Sequence, residues 1–238
     1  MGHKGAAAVA PENTLASFAR ALELGAGGLE CDVRATRDGV PVIIHDANLD
    51  RTTDRTGAVA DLTLAEVREA DASFGMAEFK GERVPTLDEL LGLVAGRAFL
   101  ALEYKSIDAV APSVPILERH DAARWCTAWS FDAAILAELK RLAPALSRTQ
   151  NIGRPETWER ALATAEELAC IGVSVAHPLV DADKVAAAKV RGLTFYTWTA
   201  NEPADWARLT EAGVDAIVTD DPGGLKAWLG GASQPSYR

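Results

Sequence analysis

The chain has 238 residues, a mass of 25.2 kDa and 48% hydrophobic residues, which suits one large domain such as a barrel of alternating strands and helices. No segment approaches the roughly 20 uncharged apolar residues of a membrane span, and no secretory signal is evident, so we expect a cytoplasmic protein without stable membrane insertion. The formal net charge of −10 argues against a nucleic-acid-binding protein, although a local cluster around a metal could still bind a small anion.

Helical and strand-like segments alternate from the start of the chain. Residues 11–24 predict a helix, and the apolar run Gly28–Arg34 predicts a buried strand. Val40–His45 follows after a short turn and predicts either a hairpin with that strand or a returning extension of it. Residues 50–85 interrupt the alternation with polar residues and one short helix capped by Thr63. Because they contain too few apolar residues for a core of their own, we interpret them as an insertion on a loop.

The alternation resumes with a helix capped by Thr86. Strands separated by helices imply parallel pairing through crossovers. If Met1–His3 is counted as a first strand, about eight strand–helix units are present. We therefore predict an α/β fold, namely a (β/α)8 TIM-like barrel. Residues 1–238 are predicted to form this barrel as one domain. The tail Gly230–Arg238 is predicted to be frayed. The further strands are predicted at Ala98–Lys105, Arg124–Ser130, Leu146–Gln150, Cys170–Val175, Leu193–Thr199 and Asp215–Thr219.

Two carboxylates in the buried strand are the first candidates for chemistry. Side chains alternate along a strand, so Glu30 and Asp32 point to the same face. Glu103 lies near the end of the next barrel strand, and reactive groups of such barrels lie at the carboxyl ends of the strands. Three carboxylates from two strands suit a hard cation, Mg²⁺ or Ca²⁺, better than zinc. The alternative is that they form ordinary salt bridges.

Two histidines and two lysines are predicted at the same edge. His3 and His45 could act as general acid and general base near neutral pH, and Lys4 and Lys105 could neutralise phosphate oxygens. Trp198 ends the seventh strand. Each residue alone also fits a structural role, such as a surface histidine, an ion pair or a packed tryptophan. Their occurrence at one edge of one barrel favours a site, since unrelated residues would scatter.

Short motifs carry a more specific signal, because they follow one another in a fixed order along the chain. They are His3-Lys4-Gly5, Pro11-Glu12-Asn13-Thr14, Ser17-Phe18, Glu30-Cys31-Asp32-Val33, Thr36, Asp38-Gly39, His45-Asp46, Leu49-Asp50-Arg51-Thr52-Thr53, Gly57, Pro85-Thr86-Leu87, Glu103-Tyr104-Lys105, Trp198-Thr199-Ala200-Asn201 and residues 213–222.

In residues and order, the chain resembles the glycerophosphodiester phosphodiesterase family over nearly its whole length. The resemblance implies a TIM-like barrel with an insertion after the second strand region. It implies metal-dependent hydrolysis of a small-molecule glycerophosphodiester to glycerol 3-phosphate and an alcohol. In that family the neighbouring glycerol hydroxyl is thought to attack the phosphorus, giving a cyclic phosphate that water opens.

The resemblance also implies roles for single residues. The divalent cation would be held by Glu30, Asp32 and Glu103. Catalysis would fall to His3 and His45, which exchange roles as acid and base between the two steps. Lys4 and Lys105 would bind the phosphate, and Trp198 would pack against the glycerol carbons.

One departure from the family pattern motivates a second hypothesis. The family usually has arginine after the first histidine, whereas this chain has Lys4, and an ammonium cannot form the bidentate fork of a guanidinium. The alternative function is therefore a catalytically weakened barrel that binds a phosphate ligand. No oligomeric state is predicted.

Overall fold

Eight parallel strands form the centre of the protein, and the computed structural model describes residues 1–231. The ring closes where Gly2 pairs with Thr219. The Thr219 N–H donates to Met1 O at 3.0 Å, and the His3 N–H donates to Thr219 O at 2.8 Å. The predicted TIM-like barrel is confirmed. The barrel strands are β1 (Gly2–His3), β2 (Gly28–Ala35), β4 (Phe99–Tyr104), β5 (Cys126–Ser130), β6 (Ser147–Ile152), β7 (Gly172–Ala176), β8 (Thr194–Trp198) and β9 (Ala216–Ile217), and β3 (Pro41–Ile43) pairs antiparallel with β2.

A helix follows each barrel strand, as the crossover pattern predicts. Thr63 and Thr86 both form capping boxes, in which the threonine hydroxyl and a glutamate three residues later bind each other's backbone N–H. The first helix begins at Leu15 and not at residue 11, because Thr14 is its N-cap. The helices are α1 (Leu15–Glu23), α2 (Leu64–Val67), α3 (Leu87–Val94), α4 (Val110–Arg119), α5 (Ala133–Leu142), α6 (Trp158–Glu167), α7 (Ala182–Val190), α8 (Pro203–Ala212) and α9 (Pro222–Gly231).

The main core lies between the ring and the helices. Outward-facing strand residues such as Leu102 and Val173 are fully buried against apolar helix faces. Inward-facing residues alternate with them, and at the carboxyl edge several of these are polar. Because of this alternation, the outer face of the ring is apolar and packs against the helices. The inner face can place charged side chains at the carboxyl edge of the barrel.

The segment between β3 and α3 packs around a small apolar cluster that it shares with the hairpin arm. Val42 and Ile44 of that arm complete the cluster, so the insertion does not rely on its own apolar residues alone. The predicted frayed tail begins with Gly230 and Gly231, but these two residues end α9. Residues 232–238, the rest of that prediction, lie outside the described residues. The cluster consists of Val42, Ile44, Leu49, Val59, Val67, Ala70, Ala72 and Val84.

Candidate active site

Three carboxylates meet at the carboxyl edge of two adjacent strands. Asp32 on β2 is the direct neighbour of Glu103 on β4, and Glu30 lies two residues before Asp32 on the same face. One oxygen from each of the three lies within 4.8 Å of the others, and all three residues are buried. The structure therefore brings together the three residues that the sequence predicted as metal ligands.

The cluster is electrostatically demanding. Burial raises the pKa of Glu30 to about 8, and the negative charge of Asp32 contributes in the same direction. The same two causes raise the pKa of Glu103. Burial also acts upward on Asp32, but the positive charge of Lys105, aided by His45, brings its pKa below the usual value. The nearby positive charges therefore do not fully offset the repulsion among the three carboxylates.

Lys105 is the cation that lies closest to this charge. Its Nζ is 3.1 Å from Asp32 Oδ1 and donates a hydrogen bond to Glu103 Oε1. Burial disfavours the ammonium, but Asp32 and then Glu103 raise the pKa of Lys105, so it stays charged. The lysine predicted to bind phosphate therefore contacts two of the predicted metal ligands.

Asp32 is held in place from one side only. Asn13 donates from Nδ2 to Asp32 Oδ2 at 2.8 Å, and Asn13 Oδ1 accepts from the Asp32 backbone N–H. The other oxygen, Oδ1, is buried and accepts no hydrogen bond; its contact with Lys105 is an ion pair without hydrogen-bond geometry. A buried carboxylate oxygen of this kind, beside two other carboxylates, fits the ligand set of a hard cation.

His3 lies across the seam where the barrel closes. Its Nδ1 is 2.6 Å from Asp220 Oδ1, just after the pairing of Thr219 with the first strand, and its Nε2 is 3.9 Å from Glu30 Oε2. Asn201 donates to the other oxygen of Asp220. Burial lowers the pKa of His3, but the hydrogen bond to Asp220 and the charge of Glu30 outweigh it and raise the pKa overall.

His45 has a matching arrangement on the insertion side. Its Nδ1 is 2.6 Å from Asp46 Oδ1, and Arg51 donates to both Asp46 and Glu12. Burial, aided by the charges of Lys105 and Lys4, lowers the pKa of His45 and outweighs the upward effect of Asp32 and Asp46. Both histidines thus bind a carboxylate through Nδ1, which fixes the ring and leaves Nε2 for other partners.

Lys4 adopts an uncommon backbone conformation, with φ at +50°. In that conformation its N–H donates to Glu30 Oε2 at 3.1 Å, while its Nζ donates to Glu12 Oε1 at 3.0 Å. Strained backbone of this kind concentrates at functional sites. The next residue must be glycine, because a Cβ on Gly5 would lie 2.6 Å from the Ser17 carbonyl carbon.

Trp198 ends β8 at the same edge. Its ring meets the Phe131 ring edge-on, with centroids 5.6 Å apart, and its indole Nε1 is buried without a hydrogen-bond partner. Lys105 Nζ lies 6.0 Å from the centroid of the same Phe131 ring. All the predicted site residues therefore lie at the carboxyl edge of the barrel.

Sequence reasoning assigned no role to four residues that hold the site together. Asp46, Asp220 and Asn13 orient His45, His3 and Asp32 respectively, and Arg51 links Asp46 to Glu12. Asp46 could have been found from its position directly after a candidate histidine. Arg51 lies five residues after Asp46, whereas Asn13 and Asp220 lie 19 and 217 residues from the residues they bind. Only their presence in the recognised motifs pointed to these three.

The barrel, the carboxylate cluster and the two histidine–aspartate pairs together form a candidate active site of the kind that (β/α)8-barrel enzymes have. The sequence profile of the glycerophosphoryl diester phosphodiesterase family matches residues 3–224. A glycerophosphodiester phosphodiesterase of Caldanaerobacter subterraneus subsp. tengcongensis is 36% identical in an alignment 234 residues long, which covers 93% of this chain and 93% of that one. The chain therefore belongs to the glycerophosphoryl diester phosphodiesterase family, and the predicted family and enzyme class are confirmed.

Solved structures agree with this assignment. An Oleispira antarctica phosphodiesterase, solved in complex with its product sn-glycerol-3-phosphate, matches with a TM-score of 0.89 and 31% identity over 96% of this chain and 95% of that one. A glycerophosphodiester phosphodiesterase from Agrobacterium tumefaciens matches with a TM-score of 0.85 and 29% identity over 95% and 97% of the two chains. Among residues 1–231, no helix is long and apolar enough to cross a membrane.

Proposed function

We propose that the protein hydrolyses glycerophosphodiesters to glycerol 3-phosphate and an alcohol in a reaction that depends on a divalent cation. The observation that carries this proposal is the buried cluster of Glu30, Asp32 and Glu103, with a histidine–aspartate pair on either side. The product complex of the Oleispira relative supports the same substrate class.

Mg²⁺ or Ca²⁺ is the cation we propose for the three carboxylates. Oxygen-only ligands suit these hard ions. The unbonded Asp32 Oδ1 and the close approach of three buried carboxylates support a cation bound between them. When bound, such a cation would polarise a phosphoryl oxygen and lower the pKa of a nearby hydroxyl.

His3 and His45 are the proposed proton carriers. Each has Nδ1 held by an aspartate, so Nε2 is the nitrogen that can accept or give a proton at the substrate. Their surroundings shift the two pKa values in opposite directions, upward for His3 and downward for His45. Opposite shifts suit a pair in which one ring holds a proton while the other accepts one.

Lys105, Lys4 and Trp198 are the proposed substrate-binding residues. Lys105 stays charged beside the carboxylates and would contact the phosphate as a compact cation. Lys4 would add a second cation, although Glu12 already binds its Nζ. Trp198 would pack its ring against the glycerol carbons. We further propose that residues 1–238 act as one domain in the cytoplasm, without a nucleic-acid partner.

Turnover of glycerophosphocholine tests the proposal. We expect release of glycerol 3-phosphate with Mg²⁺ or Ca²⁺, loss of release with excess EDTA, and loss in His45→Ala. His120→Ala is the matched control, because His120 binds Asp88 away from the cluster and its removal should leave turnover unchanged. Thermal stabilisation by the ligand without turnover under any metal condition would contradict the enzyme and favour the phosphate-binding barrel.

A further inference from the structure

A cavity of about 750 Å³ opens beside the carboxylate cluster, at the carboxyl ends of β5 and β6. Its size falls within the range of small-molecule sites. Trp198 and Phe131 form one wall, and Lys105 lies 6.0 Å from the centroid of the Phe131 ring. The cavity is therefore the space next to the predicted phosphate position, on the side away from the two histidine–aspartate pairs.

The wall of this cavity contains polar atoms that lack partners. Gln150 and Asn151 are each only 4% exposed, yet Gln150 Oε1 and Asn151 Oδ1 make no hydrogen bond within the described chain. Gln150 is fixed in position, because its Nε2 donates to the backbone oxygens of Ser130, Phe131 and Asn151. The indole Nε1 of Trp198 is also buried and unpartnered. Buried polar atoms without partners cost free energy, so Asn151 Oδ1 and Trp198 Nε1, which share the inward face of the barrel, indicate a ligand that satisfies them.

The same cavity has two arginines without partners. Within residues 1–231, the side chains of Arg154 and Arg160 form no ion pair and no hydrogen bond. The remaining arginines of this range all contact a carboxylate or a backbone carbonyl. In a chain with 34 acidic and 24 basic residues, two guanidiniums without a partner in the described part of the chain leave positive charge at this cavity that an anionic ligand could use. Asp132 also lines the cavity, but its Oδ1 caps α5 by accepting from the Ala134 N–H.

We propose that this cavity receives the leaving alcohol of the substrate, and that Arg154 and Arg160 select alcohols that carry an anionic group, a carboxylate or a phosphate. The inference rests on the proposed function, because it concerns the other half of the same diester. Guanidinium groups match both anions through paired N–H donors. The buried Oδ1 of Asn151, on the same inward face of the barrel as Trp198, accepts a hydrogen bond from a hydroxyl or ammonium group of the same alcohol.

The free energy of this contact is the same before and during bond breaking, because the anionic group lies away from the phosphorus. Such uniform binding lowers KM and leaves kcat unchanged. Both arginines are exposed, so each contact changes the affinity by about fivefold at most, and salt weakens it.

The test compares kcat/KM for glycerophosphoserine and glycerophosphoethanolamine, which differ only by one carboxylate. Glycerophosphoglycerol phosphate, with a phosphate on its leaving alcohol, is the second anionic substrate and separates the two anions. We expect the protein to prefer an anionic ester over the ethanolamine ester by about fivefold, and by no more than about 25-fold if both arginines contact the anion. We expect Arg154→Gln/Arg160→Gln to abolish that preference through KM. Arg124→Gln, at the opposite end of the barrel, is the matched control and should keep it.

Two results would separate the possible failures. If all three esters are hydrolysed with equal kcat/KM, or if the double variant keeps the preference, the inference is overturned while the proposed function stands. If the protein with bound Mg²⁺ or Ca²⁺ hydrolyses none of the three, the proposed function fails and the inference fails with it. A preference that disappears through kcat instead of KM also contradicts the inference, because it would place the arginines in the chemical step.

Discussion

The charge cluster predicts an unusual response to Glu30→Gln. Glutamine keeps the size of the side chain, and its amide oxygen can still accept the hydrogen bond from the Lys4 N–H. Its amide nitrogen can donate to the neighbouring carboxylates of Asp32 and Glu103, which now repel Glu30. We therefore expect the substitution to stabilise the metal-free protein and to weaken metal binding, two effects of opposite sign from one change.

The pKa of Glu30 sets the size of the first effect. It is about 8 in the folded protein against 4.5 for an unperturbed glutamate, so the folded state holds the proton more tightly than the unfolded state. The stability of the metal-free protein then falls as pH rises from 4.5 to about 8 and is level above that. At pH 7 the loss is roughly 1–3 kcal/mol, after allowance for the coupling among the three carboxylates.

Thermal unfolding in EDTA and in excess Mg²⁺ or Ca²⁺ measures both effects. In EDTA at pH 7–8, Glu30→Gln should unfold roughly 3–10 °C above the wild type, and the difference should vanish near pH 4.5. With the cation, the wild type should gain stability by mass action and the variant should gain less. Glu118→Gln, an exposed glutamate on α4, is the control and should change neither value.

One result would refute this reasoning directly. If Glu30→Gln in EDTA is as stable as the wild type at every pH between 5 and 8.5, the carboxylates do not repel one another as their separation of less than 4.8 Å implies. If the added cation stabilises wild type and variant equally, Glu30 is not a ligand.

Two further predictions follow from the site geometry. Asp220→Asn should lower kcat by about 10²-fold or more with little change in thermal stability, because the ring of His3 loses the carboxylate that fixes it. Steady-state kinetics at several pH values would detect this loss. An unchanged kcat would show that His3 needs no such partner. Gly5→Ala should destabilise the fold by about 2–4 kcal/mol in urea unfolding, because the new Cβ would meet Ser17 and φ is +93°. Gly39 also has a positive φ, but no atom of the described chain lies within 4 Å of the Cβ position, so Gly39→Ala should lower the free energy of unfolding by only about 1 kcal/mol. The difference between the two variants separates backbone strain from the steric clash with Ser17.

The sequence predicted the barrel because strand and helix periodicities alternate locally and parallel strands require crossovers. It could not predict packing that a neighbour in space decides. The apolar cluster of the insertion is an example, since Val42 and Ile44 of the hairpin arm complete it. The early start predicted for the first helix was a local error, since Thr14 is the N-cap and the helix begins at Leu15.

For the active site, the residue types and their order were sufficient to nominate Glu30, Asp32 and Glu103, because strand alternation fixes the face of each side chain. Their separation, their protonation and the bonds that orient them were decided only by the folded chain. His3 and Asp220 are 217 residues apart in sequence and meet because the barrel closes between its first and last strands. A short-range pattern carries no information about such a contact, since closure depends on the twist and register of all eight strands together.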